Sequence, residues 1–238
     1  MDQPALPEAG AGRLTDRGQR SAETNHEFPD IRMTKLLLVR HGQTDWNAQA
    51  RWQGQQDVPL NRLGRAQATA LAARLAGWPI HAIYSSDLRR AGETAEILAA
   101  ALSLKPVYEA AWRERAAGVF EGMTGAELRE KYPEAWAALQ QGEIRPKNGE
   151  APEQLQTRIV DAYQRILARH PDQTILIVSH GGALHALLSH VLELSMSQVY
   201  RLSLSGNTGL TRLDLTPRGP RLTLLNDTAH LEALKAWE

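Results

Sequence analysis

The sequence contains no cysteine, and this absence removes several kinds of chemistry at once. Disulfide bridges, thiolate zinc sites and phosphatases with a cysteine nucleophile are all excluded. Three other signatures are missing as well: a phosphate-binding loop ending in Gly-Lys-Ser/Thr, a His-Glu-x-x-His zinc helix, and a glycine fingerprint for dinucleotides. Any catalytic centre must therefore be assembled from other side chains.

The sequence also lacks an excess of either charge and any long apolar stretch. Its 238 residues carry 27 Lys and Arg against 27 Asp and Glu, and 42% of them are hydrophobic, as is usual for globular proteins. The balance gives no indication of a nucleic-acid or membrane surface as a partner, and no run reaches transmembrane length. Because residues 1–30 are charged and contain no apolar core of a signal peptide, we expect a cytoplasmic protein.

The pattern along the chain predicts one α/β domain behind a flexible leader. Residues 1–32 are rich in Gly, Pro, Ala and charge and have no periodicity, so we expect a flexible extension there and a single domain over residues 33–238. Continuous apolar runs predict buried strands at residues 36–39, 80–84 and 175–178. Helical patterns occupy residues 61–76, 88–102, 124–132, 152–169 and 183–194, and a hairpin is predicted over 208–225. This alternation predicts a three-layer sandwich, with a mostly parallel central sheet and helices on both faces.

Two of the predicted strands end in nearly the same way. Val39-Arg40-His41-Gly42 and Val178-Ser179-His180-Gly181 each place a histidine after a buried strand, followed by a glycine that lets the backbone approach a ligand. Ligands bind at the carboxyl edge of open α/β sheets. A shared functional site is therefore favoured, and two capped structural histidines are the alternative.

The residue types at these strand ends suit phosphoryl transfer. A neutral imidazole is a competent nucleophile toward phosphorus, and an adjacent guanidinium such as Arg40 disfavours its protonated form. Arg40, one of Arg89 and Arg90, and His180 could surround the transferred oxygens without a metal, because arginine is permanently charged and bidentate. A carboxylic acid should face the same pocket to protonate the leaving alkoxide.

Further blocks of sequence resemble a known family. The first block, Arg-His-Gly-Gln-Thr-x-x-Asn, resembles the signature of the histidine phosphatase superfamily, the phosphoglycerate mutase-like enzymes. The resemblance covers the chain from about Lys35 onward and includes the expected fold. Its ordered blocks run from Arg40 to Asn47, from Arg51 to Leu60, from Ser85 to Ala95, from Trp112 to Gly122 and from Val178 to Gly182. Their common order is far more specific than the Arg-His-Gly tripeptide alone.

The resemblance implies a role for each matching position. His41 is the implied phosphorylated nucleophile, His180 is implied to join the phosphate cage, and Glu114 is the implied proton donor and later the base that activates water. Phosphate and substrate binding is implied for six further residues: Arg40, Asn47, Gln53, Gly54, Arg90 and Gly181. Asn47 either contacts the phosphate or orients the nucleophile. The resemblance implies neither a metal nor another cofactor.

Three functions stay open at this point. The leading one is a metal-independent phosphatase acting on a small phosphorylated metabolite, and the alternatives are a phosphoglycerate mutase and a non-catalytic phosphate-binding module. Family mutases that use a bisphosphoglycerate primer carry a longer insertion between the acid and the second histidine, whereas Glu114 and His180 are only 66 positions apart. Candidate substrates are phosphoserine, phosphoglycerate derivatives and α-ribazole phosphate. The C-terminal segment, which bears Leu and Val, is a candidate edge for a homodimer.

Four features beyond the motifs have competing interpretations. Glu121 either assists Glu114 or holds a turn, and His185 is expected in the core or at the surface. His230 either borders the pocket, as a C-terminal segment does in some relatives, or packs outside it. The stretch 142–152 is either a linker between helices or a loop over the pocket.

Overall fold

A computed structural model of the chain describes residues 33–140 and 146–237, so the predicted extension at 1–32 lies outside the described residues. Six strands form one sheet: β1 (Thr34–Arg40), β2 (Ala82–Ser85), β3 (Pro106–Tyr108), β4 (Thr174–Ser179), β5 (Leu210–Thr216) and β6 (Gly219–Asp227). Their order across the sheet is β3-β2-β4-β1-β5-β6. The first four of these neighbours are parallel, and β5 and β6 add an antiparallel hairpin at the edge.

The described helices are listed here in chain order: α1 (Asp45–Ala48), α2 (Arg62–Leu75), α3 (Arg89–Leu102), α4 (Gly125–Lys131), α5 (Pro133–Gln140), α6 (Pro152–Arg169), α7 (Gly181–Val191) and α8 (Met196–Val199). Short 3₁₀ turns lie at Ala110–Trp112, Gly118–Phe120 and Ala229–Trp237. None of these helices is long and apolar enough to cross a membrane.

The core lies on both faces of the sheet and confirms the predicted three-layer α/β architecture. Alternate side chains of β1 and β4 enter two apolar clusters, one formed with α6 and α7 and the other with α2 and α3. All six residues of β4 are buried. Strands buried on both faces need continuous apolar runs, which is why residues 36–39 and 175–178 were readable in the sequence.

Local signals explain where several helices begin. The Asn61 side chain accepts from the Gly64 N–H at 2.8 Å and caps α2. Thr124 and Glu127 form the predicted capping box of α4, with reciprocal bonds of 3.2 and 2.7 Å. That helix ends before Tyr132, as expected, but α5 follows at once from Pro133, where proline suits a first helical turn. The sequence analysis missed α5, as well as the short elements β3, α1 and α8.

One close backbone contact holds the loop after β1 in place. A Cβ on Gly42 would lie 2.5 Å from the Gly64 carbonyl oxygen, and a Cβ on Gly64 would collide with the carbonyl of Gln43. Only glycine permits this approach of α2 to the loop. The contact fixes the backbone immediately after His41.

Candidate active site

Two histidines lie side by side at the carboxyl edge of the sheet. Arg40 and Ser179, which end β1 and β4, are partners in the parallel register. His41 and His180 directly follow them, and their ring centroids are 5.1 Å apart with the planes inclined by 57°. His41 is 3% exposed and His180 is 0% exposed. The structure thus brings together the two histidines that the sequence analysis paired.

The hydrogen bond of the His41 ring selects its tautomer. Its Nδ1 lies 2.7 Å from the carbonyl oxygen of Gly42. A carbonyl can only accept, so Nδ1 carries the proton and Nε2 keeps its lone pair. The unprotonated Nε2 is the atom available as a nucleophile.

The ring of His180 is fixed in the opposite tautomer. Arg90 Nε donates to His180 Nδ1 at 3.2 Å. Because arginine has no acceptor, Nδ1 holds the lone pair and the neutral ring carries its proton on Nε2. This Nε2 is buried and has no hydrogen-bond partner among the described residues. His180 is not among the described residues that line the cavity, but its ring centroid lies 5.1 Å from that of His41, which does, and it offers one unused N–H donor.

Burial and neighbouring cations keep both rings neutral. Burial, followed by the charges of Arg90 and Arg40, lowers the pKa of His41 well below its ordinary value of 6.5. Burial and Arg90 also lower the pKa of His180, with His41 and Arg40 adding to the effect. Uncharged rings between two guanidinium groups are expected from desolvation and like-charge repulsion. The His41 ring is therefore unprotonated at neutral pH.

Two arginines supply the positive charge around His41. Arg40 Nη1 donates to the carbonyl of Ser205, while its buried Nε has no hydrogen-bond partner among the described residues. Arg90 donates from Nη1 to the Gln56 carbonyl at 2.7 Å and from Nη2 to the Gly54 carbonyl at 2.8 Å. With Nε used on His180, three of its five N–H donors are engaged, so two remain. Burial lowers the pKa of Arg90 to about 10, which still leaves it charged at neutral pH.

The structure distinguishes Arg90 from its neighbour Arg89. Arg90 is 1% exposed, whereas Arg89 is exposed. The backbone N–H of Arg89 donates to Asp57 Oδ1 at 2.7 Å, at the start of α3. Arg90, by contrast, is held inward by its bonds to His180, Gln56 and Gly54.

Glu114 lines the same cavity as His41. It follows the 3₁₀ turn Ala110–Trp112, and its carboxylate accepts from the Arg115 N–H at 2.8 Å and from the Gly182 N–H at 3.0 Å. A Cβ on Gly182 would lie 3.3 Å from Glu114 Cδ and would collide with Oε1. The carboxylate is thus held at the amino end of α7, and it is the sole carboxylate among the described residues that line the cavity.

The remaining predicted binding residues also reach the cavity. Asn47, Gln53, Gly54 and Gly181 all line it. Gln53 is 9% exposed, and its buried Oε1 has no hydrogen-bond partner among the described residues. Gly54, with φ +51°, also has a second task, because its carbonyl holds Arg90. A Cβ on Gly181 would meet Arg40 Nε at 4.0 Å, so its backbone lies close to the cage.

The cavity has a volume of about 680 Å³, larger than the phosphate cage requires. Aromatic side chains lining it are Trp46, Trp52 and Tyr200. Cationic side chains beyond the cage are Arg51, Arg115 and Arg201. One wall is formed by residues 200–205, which follow α8. The outer cavity can therefore accommodate a leaving group with both apolar surface and negative charge.

Several of these lining residues were missed in the sequence. Tyr200, Arg201 and the segment up to Ser205 follow a four-residue helix without a motif, and they reach the site through tertiary folding. Arg115 directly follows Glu114, so its proximity was readable, although its orientation was not.

The competing interpretations of the other features can now be compared with the structure. Glu121 holds a turn: its carboxylate accepts from Gln55 N at 3.0 Å, Ala117 N at 2.9 Å and Gln56 Nε2 at 2.7 Å. His185 lies neither in the apolar core nor on the outer surface, because it lines the cavity. Its two ring nitrogens lie within 2.9 Å of the carbonyl oxygens of Gly181 and Leu202. His230 lies outside the lining, with Nε2 3.0 Å from Thr208 Oγ1.

The stretch 142–152 is described only in part. Residues 142–145 lie outside the described residues. In the remainder, the Lys147 carbonyl accepts from Val119 N at 3.1 Å, and Glu150 pairs with Arg158 at 2.6 Å. These described residues brace the segment that carries Glu114 and do not line the cavity.

Comparison with known proteins places this geometry in a family. The model of the histidine phosphatase superfamily (branch 1) matches residues 36–228. The chain belongs to the histidine phosphatase superfamily. The matched range contains both strand-end histidines, both cage arginines and Glu114.

Individual relatives of this histidine phosphatase include named phosphatases. It is 39% identical over 169 residues to the metal-independent phosphoserine phosphatase of Arabidopsis thaliana, an alignment that covers 68% of this chain and 71% of the relative. It is 38% identical over 170 residues to phosphoglycerate mutase-like protein 4 of the same plant, which covers 69% and 74%. The structure of a mycobacterial glucosyl-3-phosphoglycerate phosphatase superimposes with a TM-score of 0.74 at 32% identity, over 82% of this chain and 99% of that one. The chain is thus a phosphoric monoester hydrolase with the fold of this family.

Proposed function

We propose that the chain hydrolyses a small phosphomonoester through a phosphohistidine on His41, without a metal. The observation that carries the proposal is the lone pair on His41 Nε2, since the bond from Nδ1 to the Gly42 carbonyl leaves Nε2 unprotonated. Buried cations surround this neutral ring. A neutral nucleophile beside positively charged donors is what attack on a phosphate dianion requires.

In the first step, His41 Nε2 attacks the phosphorus in line with the leaving oxygen. The N–P bond forms as the P–O bond to the alcohol breaks, and the protonated Glu114 carboxyl gives its proton to the departing alkoxide. Arg40, Arg90 and His180 donate to the equatorial oxygens, whose charge grows in the transition state. The unpaired Nε of Arg40 and Nε2 of His180 are the donors that we assign to this task.

In the second step, water hydrolyses the phosphoenzyme. The Glu114 carboxylate takes a proton from the water, whose oxygen forms the new bond to phosphorus as the N–P bond breaks. Phosphate leaves and His41 returns to its neutral state. Glu114 suits both steps because it is held at the cavity wall by two backbone N–H groups.

We further propose that the leaving alcohol carries a second anionic group. Among the described residues, the lining holds five arginines and the single carboxylate of Glu114. Arg51, Arg115 and Arg201 lie beyond the phosphate cage, and of these Arg51 is paired with Glu127 at 2.7 Å. Phosphoserine and phosphoglycerate derivatives fit this description, and the named relatives act on such compounds. Matched pairs test it: phosphoserine against phosphoethanolamine, and 3-phosphoglycerate against glycerol 3-phosphate. We expect the carboxylate-bearing member of each pair to have the higher kcat/KM, and equal values would contradict the proposal.

The catalytic proposal is tested with p-nitrophenyl phosphate in the presence of a chelator. We expect turnover that is unchanged by the chelator, an acid-labile phosphoenzyme after rapid quenching, and loss of both in His41→Ala. Turnover that survives in His41→Ala, or that needs an added divalent ion, would refute it.

A mutase is the second candidate, because one relative is named mutase-like. A mutase returns the phosphoryl group from His41 to another hydroxyl and protects it from water. Incubation with 3-phosphoglycerate separates the two functions. Free phosphate forming faster than 2-phosphoglycerate supports the phosphatase, and the reverse order supports the mutase.

A further inference from the structure

A tight turn before β5 lies directly against the backbone of the nucleophile. Gly209 N donates to the Gly206 carbonyl at 3.1 Å, and the Asn226 side chain packs against both glycines. Thr208 is fully buried in this turn with φ +54°, a conformation that a β-branched residue rarely adopts. Its N–H donates to the Arg40 carbonyl at 2.9 Å. The turn thus packs against Asn226 on one side and is hydrogen-bonded to the end of β1 through Thr208.

Asn207, the residue at the tip of this turn, makes two contacts with the candidate active site. Its Nδ2 donates to the His41 carbonyl at 2.9 Å and lies 3.4 Å from Asn47 Oδ1. Both partners are oxygen acceptors. The amide of Asn207 can therefore satisfy them only through its nitrogen.

The orientation of the Asn47 amide is decided in the same way. Its Oδ1 accepts from the backbone N–H of Thr44 at 3.1 Å and from the Thr44 hydroxyl at 3.1 Å, in addition to Asn207. The backbone N–H can only donate, so the atom facing it must be oxygen. The Asn47 NH₂ group consequently occupies the other side of the amide, and Asn47 lines the cavity beside His41.

We propose that Asn207 is a positioning residue for phosphoryl transfer, which turns the Asn47 amide so that its N–H donors face the phosphoryl oxygens. The inference rests on the proposed phosphohistidine function. Asn207 does not line the cavity and does not touch the reacting atoms; it acts through Asn47 and through the His41 carbonyl. Thr44 donates to Asn47 Oδ1 twice at 3.1 Å, and Asn207 adds a third donor at 3.4 Å.

The expected effect is that of one lost hydrogen bond to an aligned group. Without Asn207 the Asn47 amide gains freedom to rotate, and the donors that meet the transition state are no longer fixed beforehand. We expect Asn207→Ala to lower the rate of phosphoenzyme formation roughly tenfold, as for the loss of a single orienting bond. The KM should change by less than the rate, since the phosphate cage of Arg40, Arg90 and His180 is intact.

A double-mutant cycle tests whether Asn207 works through Asn47. The burst of p-nitrophenolate is followed by stopped flow in the wild type, Asn207→Ala, Asn47→Ala and the double variant. For each variant, the loss is the factor by which its burst rate falls below that of the wild type. We expect the loss in the double variant to be less than a third of the product of the losses in the two single variants. A larger loss overturns the proposal, as does an Asn207→Ala variant within twofold of the wild-type burst rate.

Two further variants separate positioning from general damage to the turn. Asn226→Ala weakens the packing behind the same glycines. Within the described part of the chain, Asn226 contacts these glycines and Thr211 rather than His41 or Asn47, so its effect should multiply with that of Asn47→Ala. Asn207→Asp keeps the size of the side chain but cannot donate from the carboxylate, so it should slow the burst at least as much as Asn207→Ala. Melting temperatures show which variants are folded. If Asn207→Ala is not folded, Asn207→Asp takes its place in the double-mutant cycle.

The same series distinguishes failure of this proposal from failure of the function. If no acid-labile phosphoenzyme can be trapped from the wild type, or if His41→Ala retains turnover, the phosphohistidine mechanism itself is wrong. If the wild type shows a burst that His41→Ala lacks, and the losses in the cycle multiply, only the positioning role of Asn207 is wrong.

Discussion

The contact between Gly182 and Glu114 gives the sharpest test of the acid in the proposed mechanism. A Cβ at position 182 would collide with Glu114 Oε1 and lie 3.3 Å from Cδ, so the carboxylate of a Gly182→Ala variant must move. Regaining ordinary van der Waals contact requires a displacement of about 1 Å. Gly182 is the second residue of α7 and its φ is not positive, so the backbone itself accepts alanine.

The expected loss depends on the leaving group. A displacement of about 1 Å in a catalytic group can cost roughly 10²-fold, which lies within the roughly 10²- to 10⁴-fold worth of a general acid. Alkyl phosphates such as 3-phosphoglycerate need the proton, so the kcat/KM of Gly182→Ala should fall by about 10²-fold on them. p-Nitrophenolate leaves without a proton, so the burst with that substrate should change by less than about threefold.

A matched glycine controls for the general effect of adding a methyl group to a helix. At Gly92, inside α3, the nearest atom to an added Cβ is Tyr108 Cε1 at 3.6 Å, an ordinary contact. Gly92→Ala should therefore leave both substrates unaffected, while both alanine variants gain up to about 1 kcal/mol from helix propensity. The kcat/KM on 3-phosphoglycerate, the stopped-flow burst with p-nitrophenyl phosphate and thermal unfolding are measured for both variants. Equal losses on the two substrates in Gly182→Ala, or no loss on the alkyl phosphate, would refute the placement of Glu114 as the acid.

Three further predictions concern the phosphate cage and its supports. Arg90→Lys removes the bond to His180 Nδ1 and the bidentate fork of the guanidinium. The inhibition constant of vanadate should therefore rise at least tenfold. An unchanged constant would contradict the role of Arg90 in the phosphate cage. His41 and His180 have pKa values well below the roughly 6.5 of unfolded chains, so the unfolded state binds more protons in acid and folding stability falls as the pH drops below about 6.5. Each ring should cost about 1 kcal/mol between pH 6.5 and 5.5, and urea unfolding of His41→Gln should show a correspondingly shallower dependence on pH. Glu121→Gln places an amide NH₂ group against the side-chain donor of Gln56. Vanadate inhibition should therefore weaken, while the dependence of the rate on the leaving group should change little. A selective loss of activity on alkyl phosphates would instead make Glu121 a second acid.

The central sheet and the inner site could be predicted because both are encoded locally. Continuous apolar runs marked β1 and β4, and the parallel register then brought His41 beside His180 without further information. The choice of Arg90 over Arg89 needed the family motif, since adjacency in sequence does not say which side chain is buried. In the structure Arg90 is buried and bonded to His180, Gln56 and Gly54, whereas Arg89 is exposed.

The outer cavity could not be predicted, because its residues are assembled by tertiary packing. Tyr200 and Arg201 follow a four-residue helix that carries no periodic signal, and they reach the cavity 20 positions after the second strand-end histidine. The position of His185 could not be predicted for the same reason. It lies one helical turn beyond Gly181, and the sequence does not show which side of α7 faces the cavity. Its contact with the Leu202 carbonyl at 2.9 Å depends on where the wall segment lies.

Buried polar atoms without partners help to explain why the site is ready for an anion. Among the described residues, Arg40 Nε, Gln53 Oε1 and His180 Nε2 have no hydrogen-bond partner, but neither do Trp112 Nε1 and Tyr163 OH, which belong to the apolar core beside α6 and α7. An unpaired atom alone therefore does not identify a site. The atoms of Arg40, Gln53 and His180 differ in their position, because Arg40 and Gln53 line the cavity and the His180 ring lies beside His41. Two of these three atoms are also N–H donors beside fixed cations. These donors are already buried in the folded chain, so in the proposed mechanism a phosphoryl group meets groups that need no reorganisation when charge develops.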